Sequence, residues 1–245
     1  MKADPFKQRY LLELQALDTT LDQLGHRQAT LGEHAQLTAL GKQLDEAKSA
    51  LVRASTALDD VQRELRKADA DVQVVRDRVA RNQGRLDVGV GTAKDLQAVQ
   101  HELESLGRRQ ATLEDEELEV MERAEVAESA TAAAQKQVDD ITEQIETVTA
   151  QRDDKVADIS HDRNKVAANR DGLVDQVGTD LITLYDKIRA RSGTGAAPLK
   201  ARRCGGCNIE LHNTDLSRVR EAPSNEVLRC EECGRILVVT EESGL

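Results

Sequence analysis

The chain has 245 residues, a net charge of −11 and 32% charged residues, yet its only aromatics are Phe6, Tyr10 and Tyr185. So few rings exclude a globular core of ordinary size, and abundant Ala, Leu, Glu, Gln and Arg with almost no Pro point to long helices or coiled coil. No run of 18 apolar residues is present, which argues against a transmembrane helix and membrane partners, and the charged first residues lack the apolar centre of a signal peptide. A cytoplasmic location is expected, where thiols stay reduced.

Asp4 followed by Pro5 marks a helix start, with a side-chain acceptor at the N-cap and a ring suited to the first helical position. Apolar residues then recur through Tyr10, Leu14, Leu17, Leu21, Leu24 and Leu31, and the phase slips near Gly32. From Leu37 to Val79 thirteen successive positions spaced by threes and fours are all apolar. A stripe two residues wide suits a coiled-coil seam better than a globular face. The pattern stops at Asn82-Gln83-Gly84, and Gly89 and Gly91 complete a turn signal over 82–92.

Thr92 with Asp95 can form a capping box for a second helix. Its stripe runs from Leu96 to Val148, with Leu118 and Met121 suggesting a local phase shift beside Glu117. Two such helices around a short turn imply an antiparallel hairpin, each arm of about 80 residues spanning roughly 120 Å. The second arm continues raggedly to Ile188, with Gly172 and Gly178 as weak points, and Ser192-Gly193-Thr194-Gly195 ends it. The expected organisation is a mainly α hairpin over 1–192, a linker over 193–203 and a small α+β module over 204–245.

That last module holds all four cysteines, as Cys204-Gly205-Gly206-Cys207 and Cys230-Glu231-Glu232-Cys233. Two thiolates separated by two residues reach one cation, and two such pairs complete a tetrahedral sulfur site for one zinc ion. Asn208 and Gly234 follow the pairs and tolerate the left-handed backbone that a metal-binding knuckle needs. Twenty-two residues separate the pairs, room for a short helix from Asp215 to Glu221 capped by Thr214 and stopped by Pro223. Residues 209–211, 227–229 and 235–239 read as brief strands. Four thiolates leave no open position on the metal, which points to a structural site and away from catalysis or a small-molecule substrate. No Ser/His/Asp set or phosphate loop is present, and the five histidines are scattered.

Charge divides unevenly. Residues 196–245 carry seven basic and eight acidic groups, leaving 27 against 37 for the rest. An acidic helical surface is poor for nucleic acid. Between residues 187 and 209, however, six basic residues stand without an acidic one. Lys200, Arg202 and Arg203 from this run, with Arg218, Arg220 and Arg235, form a candidate contact patch for phosphates or a protein partner. The competing reading is that these cations offset a helix C-terminus and a zinc–thiolate charge. The acidic run 114–122 is a candidate contact for a basic partner, or a solvated helix face.

Thr92-Ala93-Lys94-Asp95-Leu96 after the glycine turn, the segment 113–122, Leu184-Tyr185-Asp186-Lys187-Ile188-Arg189 and Cys230-Glu231-Glu232-Cys233-Gly234-Arg235-Ile236-Leu237 together resemble bacterial coiled-coil proteins with a C-terminal four-cysteine zinc ribbon. The resemblance covers essentially the full chain. It implies a bent helical hairpin with the ribbon near the termini. It also implies binding roles: chaperone-like or regulatory contacts with secretion, flagellar or transcription proteins, and with nucleic acid. Relatives often carry an aromatic residue where this chain has Val238.

Overall fold

A computed structural model describes residues 1–245. Five helices and a small sheet follow in chain order: α1 (Pro5–Ala29), α2 (Gly32–Val88), α3 (Ala93–Val177), α4 (Thr179–Ser192), β1 (Ala196–Lys200), β2 (Arg203–Cys204), α5 (Asn213–Glu221), β3 (Leu228–Arg229) and β4 (Ile236–Val238), then a 3-10 turn at Glu241–Ser243. No helix is long and apolar enough to cross a membrane. The chain divides into two compact units, residues 35–149 and residues 1–34 with 150–245.

The first unit is an antiparallel helix pair. Every position of both heptad stripes within α2 and α3 is buried or half-buried. Ala47, Val138 and Ile141 form the tightest cluster, with Leu40, Leu44, Leu51 and Ile145 against it. Ion pairs Glu64–Arg123, Arg76–Glu114 and Arg78–Glu102 join the helices, their partners advancing in opposite directions along the chain. The capping box is present: Thr92 N–H donates to Asp95 Oδ2 at 3.0 Å and Asp95 N–H to Thr92 Oγ1 at 3.3 Å.

Two expectations need correction here. Asn82 does not stop α2, which runs on to Val88; Asn82 is buried in the seam and the turn is confined to residues 89–92. Nor does the register shift at Leu118 and Met121, which stay 57% and 43% exposed while Glu117 remains on the seam. The flanking apolar positions hold the register, and Arg76, which interacts electrostatically with both Glu114 and Glu117, offsets the carboxylate.

The second unit joins the hairpin base to the sheet. Asp4 Oδ1 accepts the Phe6 N–H at 2.8 Å and Pro5 opens α1, as the sequence indicates. The slip near Gly32 is a break between α1 and α2 at residues 30–31. Of the two glycines expected to weaken the second arm, only Gly178 breaks it, at φ 91°; α3 passes through Gly172.

The sheet runs β2-β1-β4-β3, with β1 parallel to β4 and the other pairs antiparallel. Alternation sorts its side chains onto two faces. Ala196, Ile236 and Val238 pack with Leu11, Leu14, Leu181, Tyr185 and Ile188 of α1 and α4. Ala197, Leu199 and Leu237 face the other way, with the cysteines and Val219 of α5. The stretch 193–203 is therefore no linker: it supplies a central strand, buried on both sides.

Candidate metal centre

The two knuckles are built alike. Cys204 O accepts the Asn208 N–H at 2.7 Å and Cys230 O the Gly234 N–H at 2.8 Å. Each first cysteine then donates its own N–H five residues on, Cys204 to Ile209 O and Cys230 to Arg235 O, both at 3.0 Å. Asn208 and Gly234 stand at φ 60° and 70°. The N–H groups of Gly206 and Cys207 are thereby aimed at Cys204 sulfur, and those of Glu232 and Cys233 at Cys230 sulfur.

The knuckles differ inside their pairs. A Cβ on Gly205 would meet Pro198 O at 2.9 Å, and one on Gly206 would meet Arg235 Cδ at 2.6 Å. The first knuckle is pressed against β1 and needs glycine. The second presents Glu231 and Glu232 outward.

All four Sγ atoms lie within 4.8 Å of one another. Cys204–Cys233 and Cys207–Cys230 are 3.8 and 3.9 Å apart. A tetrahedron with Zn–S bonds of about 2.3 Å has edges of about 3.8 Å, so the four thiolates fit one zinc ion. The charge environment divides the four ligands. Burial pushes the Cys204 thiol up and the Cys230 thiol up to about 12. Burial pushes the same way at Cys233, but hydrogen bonds from the backbone and side chain of Arg235 and from the Cys230 and Cys207 thiols together outweigh it and bring that thiol down to about 7. Arg235 Nε is moreover buried against Gly206 of the first knuckle without a hydrogen-bond partner, an orphaned donor suited to the negative charge of a metal-bound thiolate centre. When bound, zinc here supplies structure.

The candidate contact residues disperse. Lys200 pairs with Glu242, Arg203 with Glu210 and Arg218 with Glu231. Arg235 turns inward, its Nη2 donating to Ser192 O at 3.2 Å. Arg202 and Arg220 carry no ion pair. Arg202 sits in the two-residue turn between β1 and β2, where Ala201 and Arg202 have φ 45° and 64°. The short helix also begins earlier than expected, at Asn213, with His212 rather than Thr214 at its N-cap. Residues 209–211 form only a single bridge, Arg203 to Glu210.

One buried polar cluster escaped sequence reasoning. The Tyr185 hydroxyl donates to Asp18 Oδ2 at 2.7 Å, and Arg170 Nε donates to Asp18 Oδ1 at 2.6 Å. Arg189 lies 3.4 Å from Asp18 and binds Asp22 through both carboxylate oxygens at 2.8 Å. Gln15 Oε1 accepts the Gly195 N–H at 2.7 Å. The cluster ties α1, α3, α4 and the chain entering β1. Desolvation, then the Asp18 carboxylate, push the Tyr185 phenol well above its ordinary range. The available signal was Tyr185 itself, one of three aromatics in a chain with little other use for them.

Comparison with known proteins agrees with both parts. Residues 14–193 match the CT398-like coiled coil hairpin domain and residues 203–237 the C4-type zinc ribbon domain. An uncharacterized protein of Mycobacterium tuberculosis is 34% identical over 238 residues, 97% of each chain. A Mycobacterium smegmatis structure aligns with a TM-score of 0.82 at 36% identity, covering 97% of this chain and all of that one. CT398 of Chlamydia trachomatis aligns with a TM-score of 0.62 at 15% identity, covering 96% and 98%, a likeness of fold.

Proposed function

Because the chain belongs to the CT398-like coiled-coil hairpin family and carries a C4-type zinc ribbon, we propose that it acts as a non-enzymatic adaptor, chaperone-like or regulatory, that binds protein partners. The observation that carries this reading is the placement of the cysteines. Cys204 and Cys230 lie in the ribbon's own apolar core with Ala197, Leu199, Val219 and Leu237, and the half-buried Cys207 and Cys233 pack against it. A metal held there by four thiolates has no site for water or substrate and serves to hold a surface in shape. The helices add a second, extended surface for a partner.

The reading as a nucleic-acid binder is weakened by the pairing of Lys200, Arg203 and Arg218 with carboxylates and by the inward turn of Arg235. Affinity purification from native cells with the wild type and Cys230→Ser tests the adaptor reading. Protein partners lost with Cys230→Ser belong to the ribbon, and those retained belong to the helices. Recovery of nucleic acid instead, with binding that falls steeply with salt and disappears in Arg202→Glu/Arg203→Glu, would favour the alternative.

A further inference from the structure

Arg235 reaches both knuckles and the end of α4. Its Cδ occupies the space that a Cβ on Gly206 would need, inside the first knuckle. Its backbone serves the second knuckle, the carbonyl accepting from Cys230 and the N–H pointing at Cys233 sulfur. Its guanidinium reaches Ser192 O, at the last residue of α4, and lies near enough to Cys233 to lower that thiol, while Nε is buried with no hydrogen-bond partner.

We propose that Arg235 is a positioning residue that holds the four-thiolate centre against the end of α4 and so ties zinc retention to the helical base. The fit of zinc to this site is its premise; the identity of any partner is not. Four thiolates around a divalent ion carry a net charge of about −2, and the carbonyls at a helix C-terminus carry partial negative charge. A cation fixed between the two offsets both. A forked guanidinium can donate to sulfur and carbonyl together, whereas an ammonium on a flexible stem cannot match both directions. Without Arg235 the thiolate centre loses a neighbouring cation, Ser192 O loses a donor, and the knuckles lose the stem packed against Gly206.

The test uses the full-length zinc-loaded chain with Arg235→Gln, Arg235→Lys and a control, Arg229→Gln, whose native side chain bonds Gly234 O in the same knuckle without serving a sulfur. Zinc transfer to 4-(2-pyridylazo)resorcinol and amide hydrogen exchange over residues 189–195 are measured together. Arg235→Gln should release zinc roughly tenfold faster or more, in line with the loss of an outer-shell partner of a metal ligand. It should also speed exchange at the end of α4 while zinc is still bound. Arg235→Lys should recover part of the zinc retention through its charge, with exchange in 189–195 still raised. Arg229→Gln should match the wild type in both. Zinc release at the wild-type rate in Arg235→Gln, or equal acceleration by Arg229→Gln, overturns the proposal. If Arg235→Gln does not load zinc, Arg235→Lys decides: zinc-loaded protein with unaltered exchange at the end of α4 also overturns it.

Discussion

The helix pair of residues 35–149 and the helical base with its ribbon use different means to stay folded. In the pair, a narrow seam of mostly half-buried side chains repeats the same small contact many times. In the base, large side chains such as Leu11, Leu14, Tyr185 and Ile236 are fully buried, and single contacts are not repeated elsewhere. The pair should therefore tolerate change and lose stability in small steps, whereas the base should fail through individual residues. The largest test is the metal. Structural zinc contributes on the order of 10 kcal/mol to folding of small four-ligand modules. Chelation or Cys230→Ser should abolish protection of β1–β4 in hydrogen exchange while helicity from residues 35–149 persists. A cooperative loss of all helical signal on chelation would show that the two regions are not independent in stability.

The next largest effect belongs to Asp18. It is 1% exposed and faces the guanidinium groups of Arg170 and Arg189 and the Tyr185 hydroxyl. Asp18→Ala strands those donors, and breaking a buried pair from one side costs about 3–5 kcal/mol. Urea unfolding followed by exchange in α4 should register this loss in the base and leave α2 unchanged. The same cluster gives an alkaline signature. The Tyr185 phenol is raised in the folded state, so the unfolded chain ionises first, near pH 10. The stability it contributes is present below that pH and declines above it. Absorbance near 295 nm should show the Tyr185 phenolate only as the base unfolds; its appearance in the folded protein would contradict the burial of that ring.

A matched pair of glycines sharpens the contrast. A Cβ on Gly195 would lie 2.4 Å from the Tyr185 ring and 2.8 Å from its carbonyl oxygen. Gly195→Ala should cost about 1–3 kcal/mol or more through overpacking. Gly107 lies inside α3 with nothing within 4 Å of its added Cβ. Gly107→Ala should instead raise stability by about 0.5–1 kcal/mol, since alanine loses less backbone entropy in a helix. Thermal melts of the two variants should move in opposite directions.

Legibility in the sequence follows the same division. Heptad spacing is local and redundant, so the antiparallel pair, its cap at Thr92 and the start at Pro5 could be read directly. The cysteine pairs were legible because metal geometry constrains spacing. The turn end at Asn82 was misread because one polar seam residue resembles a stop, although the flanking helix tolerates it. Strand β1 was hidden because Ala196 to Lys200 has no alternating pattern, being buried on both faces, and because its turn into β2 is Ala201-Arg202 instead of Asn-Gly. That turn is held from a distance: Ala201 and Arg202 donate their N–H groups to Glu242 and Ser243 carbonyls at 2.8 and 2.9 Å. The links from Asp18 to Arg170 and Tyr185 span more than 150 residues, and no local pattern encodes them.

The smallest and most diagnostic effect lies at Glu117, the one place where the repeating seam holds an acid that the sequence alone read as a register change. It is half-buried, and Arg76 interacts electrostatically with both it and Glu114. Arg76 already bonds Glu114, through Nη2 at 2.7 Å and Nε at 3.2 Å, and Gln110 supports the same carboxylate at 2.9 Å. Glu117→Leu therefore leaves the cation a partner and places an apolar side chain in a continuous stripe. Half-burying a leucine contributes about 1 kcal/mol, which should exceed the small loss of a solvent-exposed ion-pair interaction. A gain of that size in urea unfolding of α2 and α3 would mean the pair is governed by its seam alone. A loss would mean that Glu117 supplies charge that Glu114 cannot, and that this stretch of the pair depends on individual residues in the way the base does.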